Sequence, residues 1–200
     1  SAGRRILLKG VDAFERVAEA DIVVFDKTGT LTRAVPVLHS EHWQIPSGEQ
    51  AAWAGVLGAL SRTSAHLVLR PLRERFAARS TDLEVSELAG FGLKTSRNGK
   101  EIRLGRREWA LWGSTAAAST GEWTEVVLSE NGHEIACFSM ESRLREHAPE
   151  VVAALSKGRE TWILSGDKQG PVFSVAEACG VPREKALWGR SPEDKLHVVQ

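Results

Sequence analysis

Ile22-Val23-Val24-Phe25 is an unbroken apolar run of strand length, and a strand without polar alternation is covered on both faces, as in a parallel sheet flanked by helices. Val11, Phe14, Val17 and Ala18 precede it at helical spacing, so a helix over 11–19 feeds this strand. The same signals return late in the chain: 148–155 reads as helix, 161–164 as strand, 172–178 as helix and 186–188 as a short strand. Gly158 and Gly180 stand just past the two helices, where a C-terminal stop is expected.

Between these stretches the pattern changes. Pro36, Pro46 and Gly48 mark a loop, and 50–60 and 68–78 read as helices, the second interrupted early by Pro71. From 83 to 104 short alternating runs are broken by Gly90, Gly92 and the hairpin signal Asn98-Gly99. Val126-Val127-Leu128, the turn Glu130-Asn131-Gly132 and Ile135-Ala136-Cys137-Phe138 give a second hairpin. The middle of the chain is thus an antiparallel sheet with helices, inserted into an α/β unit, with 114–120 a loop of small residues.

Composition narrows this picture only slightly. Two hundred residues with 42% hydrophobic content can bury a sizeable core. The 26 basic residues balance 26 acidic ones, so nothing pulls the chain as a whole toward nucleic acid or an anionic membrane. Cys137 and Cys179 are isolated, without metal-type spacing or a disulfide framework, and read as buried thiols of a reducing compartment. No run of about 18 apolar residues appears, so nothing is expected to span a bilayer. No charged-then-apolar signal segment is expected over the first residues.

The chemistry enters with Asp26-Lys27-Thr28-Gly29-Thr30-Leu31-Thr32, which follows the first apolar run. Open α/β sheets do their chemistry at the carboxyl ends of strands, and a Thr-Gly-Thr turn there offers backbone N–H groups and hydroxyls to an anion. Asp26 is a candidate nucleophile toward phosphorus. The string resembles the phosphorylation motif of P-type ATPases, cation pumps of the haloacid-dehalogenase superfamily, and the likeness covers essentially the whole chain. Ile6-Leu7-Leu8-Lys9-Gly10 resembles the link from a transmembrane helix, Leu164-Ser165-Gly166-Asp167 the second phosphate-site motif, and Pro192-Glu193-Asp194-Lys195 the third. Order and spacing are most similar to the heavy-metal class.

The resemblance implies a Rossmann-like haloacid-dehalogenase phosphorylation domain, residues 1–34 and 139–200, truncated at its C-terminus, with an inserted α+β nucleotide-binding domain, residues 35–138. It implies that Asp26 takes the γ-phosphate of ATP as an aspartyl phosphate, with Lys27, Ser165 and Lys195 around the transferring group and Mg²⁺ on Asp26 and the Thr28 carbonyl. Related phosphatases place a second aspartate two residues after the nucleophile, where Thr28 stands here, and threonine cannot do that acid–base work. The family's acidic Mg²⁺ motif lies further along than Gln200, so the site is expected to be incomplete and this piece inactive alone. Loss of the strand beside Asp26 would leave an apolar edge, which invites pairing with a second copy. The implied partners are the transmembrane and actuator domains of a pump, with the parent in the membrane, this region cytoplasmic, and no nucleic acid involved.

For the nucleotide, Ser64-Ala65-His66-Leu67 resembles the adenine-orienting motif of heavy-metal pumps, Gly90-Phe91-Gly92 their Gly-x-Gly turn, and Leu104-Gly105 a third contacting turn. His66, Gly90, Gly92 and Gly105 are the implied nucleotide residues. Departures stand beside them. Leu67 replaces a proline, Ser61 a glutamate, Arg106 an asparagine and Ser142 an aspartate three residues before Arg145. Weak ATP binding is expected, with Arg106 either a phosphate contact or a solvated surface residue. His39 and His42 form a ligand pair only if their segment is helical. The seven tryptophans are expected to anchor cores or domain interfaces, and 70–79 to be a solvated charged helix face. Two rival readings remain at this point: a free-standing phosphatase of the same superfamily, and a nucleotide-binding module that has lost the chemistry.

Overall fold

The computed structural model describes residues 19–77, 82–113 and 121–199, which form two sheets. In the smaller, β1 (Ile22–Asp26) runs parallel to β8 (Glu160–Leu164), and β8 runs parallel to β9 (Ala186–Leu187). The register pairs Asp26 with Leu164 and Leu164 with Leu187, so the loops leaving β1, β8 and β9 open along one edge. Helices α4 (Ala148–Leu155) and α5 (Gln169–Ala178) bring Val152, Val172, Val175 and Ala176 onto Ile163 and Leu31. Apolar burial of this kind contributes about 25 cal/mol per Å² of area removed from water.

The reading of β1 as covered on both faces needs correction. Among the described residues β1 is the outer strand of its sheet, with Ile22 54% exposed and Val23, Val24 and Phe25 only partly buried. An apolar run marks a strand meant for burial, and here β8 covers one edge of it.

The larger sheet is antiparallel throughout, in the order β2 (Val37–Trp43), β7 (His133–Glu141), β6 (Thr124–Glu130), β5 (Lys100–Gly105), β4 (Gly92–Arg97), β3 (Val85–Leu88). Asn98-Gly99 and Asn131-Gly132 make its two tight hairpins, all four residues at positive φ, as the twist of such turns requires. Helix α1 (Ser47–Thr63) and the short α2 (Arg70–Arg75) lie on one face, where Val56, Leu57, Leu60 and Leu72 meet Leu93, Ile102, Leu104, Leu128, Phe138 and Met140. Trp43, Phe76 and Phe138 close this core edge to face, their centroids 5.8–6.4 Å apart. On the other face the four-residue α3 (Arg107–Ala110) packs Ala110 with Leu111 against Val127 and Cys137.

Other expectations shift. The loop after Pro36 contains β2, so His39 and His42 lie on a strand rather than a helix, and His39 stacks on Trp123 at 4.4 Å. Among the described residues no three His, Cys, Asp or Glu side chains converge on a metal-sized site. Pro71 begins α2 after a turn of 3-10 helix at Leu67–Leu69, as suits a residue lacking the N–H that a first helical turn leaves unused. The charged face of α2 is exposed, with Arg70 paired to Glu74. Trp53 is buried, whereas Trp112 and Trp188 are about half exposed and anchor no core. Residues 11–18 of the helix read over 11–19, and the loop over 114–120, lie outside the described residues. No helix among the described residues is long and apolar enough to cross a membrane.

Candidate functional site

β1 ends on Asp26 and the chain turns at once. The Thr32 N–H and hydroxyl both donate to the Lys27 carbonyl, at 3.0 and 3.2 Å, closing a wide turn over 27–31. Gly29 in that turn has φ +83°, which glycine adopts without steric cost. Arg145 braces it from far along the chain: its guanidinium donates to the Gly29 carbonyl at 2.8 Å, and its N–H to the Leu31 carbonyl at 2.8 Å. Thr28 is exposed beside Asp26.

Two further segments converge on Asp26. Ser191 and Asp194 exchange backbone-to-side-chain hydrogen bonds of 2.9 and 3.1 Å, a capping box that starts α6 (Pro192–Val199). The Ser191 N–H holds the Asp194 carboxyl below the usual range. That start places Lys195 in the first turn, with Nζ 2.6 Å from Asp26 Oδ1. After β8, the buried Ser165 donates its N–H to the Leu187 carbonyl at 2.9 Å, and its Oγ accepts the Asp167 N–H at 3.1 Å. The hydroxyl proton stays available to an acceptor. Lys27 is wholly buried, with Nζ 2.5 Å from Asp167 yet outside hydrogen-bonding geometry with it.

Asp26, Lys27, Ser165 and Lys195 are therefore drawn into one cluster at the carboxyl edge of the parallel sheet. Two contributors were not singled out from sequence: Asp167 as the counter-charge of Lys27, and Arg145 as the brace of the turn. Asp167 had a signal, since it stands in the second motif, but nothing in the sequence named its partner. An exposed carboxylate 2.6 Å from the Lys195 ammonium, next to the strand end that carries the Ser165 hydroxyl, suits chemistry on an anionic group brought to Asp26. Among the described residues no three His, Cys, Asp or Glu side chains gather at this edge, and Asp167 is committed to Lys27, so Asp26 and the Thr28 carbonyl would hold a Mg²⁺ shared with phosphate oxygens and water.

The glycines at the nucleotide-type turns divide into two kinds. A Cβ on Gly92 would meet the Leu104 carbonyl, the Gly105 Cα and the Trp109 ring, and one on Gly105 would meet the Phe91 carbonyl and the Gly92 Cα. Close approach of β4 to β5 thus accounts for both. Gly90, at φ +79°, has open space around it. His66 is exposed, its Nδ1 accepting the Val68 N–H at 3.3 Å and its own N–H donating to Ser64 Oγ at 3.1 Å. Ser64 in turn donates to Glu87 of β3 at 3.0 Å, which ties the His66 segment to the hairpin carrying Gly90 and Gly92. Glu87 is thus a carboxylate near His66 that the sequence motif did not supply. Ser61 is buried, with its hydroxyl on the Gly58 carbonyl at 3.4 Å within α1.

Next to Gly105, Arg107 is gripped by Glu125 at 2.9 Å and Glu134 at 2.6 Å. Burial works against its charge, but these two carboxylates outweigh burial and raise its pKa. Among the described residues a side-chain pair links the two sheets: Lys168, after the Ser165-Gly166-Asp167 loop, lies 2.6 Å from Glu108 of α3. That hydrogen bond holds the Glu108 carboxyl below its ordinary range.

Known proteins resemble this chain along nearly all of its length. Nitrogen fixation protein FixI of Rhizobium leguminosarum bv. viciae is 37% identical over 200 residues, covering 98% of this chain and 25% of that protein. A probable copper-transporting ATPase, SynA of Synechococcus elongatus, is 32% identical over 207 residues, covering 100% of this chain and 26% of its own length. The chain spans about a quarter of the length of these relatives. Among solved structures, the catalytic CPx-ATPase domain CopB-B superposes with TM-score 0.73 at 21% identity, over 96% of this chain and 70% of that one, so the two share an α/β fold with an inserted antiparallel sheet. The profile of haloacid dehalogenase-like hydrolases matches residues 20–200, the stretch that carries Asp26, Ser165 and Lys195 in order, and the chain belongs to that family.

Proposed function

We propose that this chain is the ATP-binding and phosphorylation unit of a heavy-metal-transporting P-type ATPase, with Asp26 as the residue phosphorylated. The observation that carries the proposal is the convergence of Lys195, Ser165 and the Lys27–Asp167 pair on Asp26 from segments far apart in sequence. Relatives described as copper-transporting and zinc-exporting ATPases support the pump assignment. Residues 1–34 and 139–200 serve as the phosphorylation domain and 35–138 as the nucleotide domain, with His66, Gly90, Gly92 and Gly105 toward the nucleotide.

In the proposed reaction an oxygen of Asp26 attacks the γ-phosphorus of ATP in line, the bond to the bridging oxygen breaks, and ADP departs with that electron pair. Lys195 and the Ser165 hydroxyl offset charge on the transferring group's oxygens. Lys27, buried and tied to Asp167, holds the turn that aims Asp26. Mg²⁺, when bound at Asp26 and the Thr28 carbonyl, supplies further neutralisation of phosphate charge. Thr28 offers no acid or base for rapid hydrolysis of the aspartyl phosphate, which favours a pump over a phosphatase.

Two measurements test this. In the full-length protein, acid-stable label from γ-labelled ATP should appear and vanish in Asp26→Asn. Metal transport unchanged by that substitution would exclude the phosphoenzyme. With the 200-residue chain, a non-hydrolysable ATP analogue should bind saturably and more weakly in His66→Ala.

A further inference from the structure

The chain passes between its two sheets twice, leaving the smaller one after Thr32 and returning to it before α4. The two passages are tied together. Thr32 and Leu144 form an antiparallel bridge, and on either side of it the Arg33 N–H donates to the Arg143 carbonyl and the Arg145 N–H to the Leu31 carbonyl, both at 2.8 Å. This short ladder begins where the turn after Asp26 ends.

Arg145 extends the ladder onto the turn itself, its guanidinium donating to the Gly29 carbonyl at 2.8 Å. Its backbone is anchored on the other side. The Arg145 carbonyl accepts the Ala148 N–H at 3.1 Å where α4 starts, and Leu144 beside it packs on the core of the smaller sheet. The side chain is exposed and, among the described residues, makes no ion pair: Glu146 faces His147 at 3.6 Å, and Glu141 is taken by Arg143 at 3.2 Å. Its positive charge is therefore left to a peptide carbonyl.

Thr28 at φ −79°, ψ 120° and Gly29 at φ 83°, ψ −14° have the angles of a type II turn, which places glycine third. Glycine enters that conformation without strain and leaves it as easily, so the turn's own sequence does little to keep its exit in one place. A charged donor on the Gly29 carbonyl does. Because the peptide is planar and trans, the same hydrogen bond fixes the direction of the Thr30 N–H, and it polarises that N–H into a stronger donor.

We propose that Arg145 is a positioning residue for phosphoryl transfer to Asp26: it holds the Gly29–Thr30 peptide and ties it to the two passages, so that a change in how the sheets are joined is felt at the turn. The proposal rests on the reading of Asp26 as the phosphorylated residue, and adds to it a group outside the three motifs that acts through the backbone of the turn.

The test uses the full-length protein. Formation of acid-stable label from γ-labelled ATP is timed over a range of ATP concentrations, and hydrogen exchange of the 27–33 amides is followed alongside that of β1 and β8. Arg145→Met is expected to slow labelling at saturating ATP by roughly ten- to hundredfold, to change the half-saturating concentration by less than about twofold, and to be partly rescued in Arg145→Lys. The 27–33 amides should exchange faster in Arg145→Met while those of β1 and β8 keep their protection. Labelling at the unsubstituted rate, or a loss carried wholly by the half-saturating concentration, overturns the positioning role. So does exchange that rises in β1 and β8 as much as in the turn, because the residue then serves the stability of the sheet. If the unsubstituted protein takes no label, the phosphorylation reading falls, and exchange alone decides the brace: unchanged protection of 27–33 in Arg145→Met overturns it.

Discussion

Replacing Asp167 with asparagine should cost far more than replacing its partner Lys27 with methionine, although both break the same ion pair. Lys27 is wholly buried whereas the Asp167 side chain keeps 30% of its surface exposed. Asp167→Asn strands an ammonium that has no hydrogen-bond partner among the described residues, and an uncompensated buried charge costs about 3–5 kcal/mol. The carboxamide oxygen still faces Nζ, so the lower end, about 3 kcal/mol, is expected. Lys27→Met keeps most of the packed stem and leaves a carboxylate that water can reach, for about 1 kcal/mol. The double variant removes both charges and should also cost about 1 kcal/mol, so the two single losses do not add. Hydrogen exchange of the β1 and β8 amides reads the opening free energy of this sheet apart from the larger one. Equal losses in the two single variants, or a double variant that sums them, would refute the reasoning.

Further outcomes can be stated briefly. Arg107→Ala leaves Glu125 and Glu134 facing each other half-buried and should cost about 3 kcal/mol, a fall of about 6–12 °C in Tm, with Arg107→Met combined with Glu125→Gln and Glu134→Gln recovering most of it. Gly105→Ala must separate the ends of β4 and β5 and should lose about 1–3 kcal/mol in chemical denaturation; unchanged stability would mean that the close approach is slack. Burial, reinforced by the charge of Glu125, pushes the Cys137 thiol up to about 12, so the reactive thiolate is scarce at neutral pH and grows only as pH approaches that value. Rapid alkylation of the folded chain at neutral pH would contradict this. The open edge of β1 should pair with a second copy at high concentration, and Ile22→Lys should suppress it; a monomeric mass for the unsubstituted chain by light scattering would count against the pairing.

The parallel strands and the three motifs at their ends were legible because each is local: an apolar run followed by Asp26, Ser165 or Lys195 needs no partner to be seen. The hairpins at Asn98-Gly99 and Asn131-Gly132 were legible for the same reason. β2 was missed because its Leu-His-Ser-Glu-His segment is largely polar and flanked by prolines; it pairs on one side only, with β7, so neither face needs to be wholly apolar. The four-residue α3 is too short to have a period. Glu108 and Lys168, 60 residues apart, and Lys27 and Asp167 meet only through topology, which composition and spacing do not encode. Gly92 and Gly105 matched nucleotide turns by sequence, whereas their surroundings give a packing reason for each.

The Glu108–Lys168 pair is about half exposed at both ends, and such contacts are worth at most about 1 kcal/mol. It can therefore bias the two sheets toward each other by no more than about fivefold, and salt weakens even that. The joint has this pair as a light spring beside the two backbone crossings, which are tied to each other where the Arg33 N–H donates to the Arg143 carbonyl at 2.8 Å. A molecule that touches both walls with a few kcal/mol of preference would set its angle, whereas an unfilled gap would leave the angle to thermal motion. Asp26 would then meet its reaction partner only as often as something occupies the gap, which makes occupancy itself the clock of the chemistry.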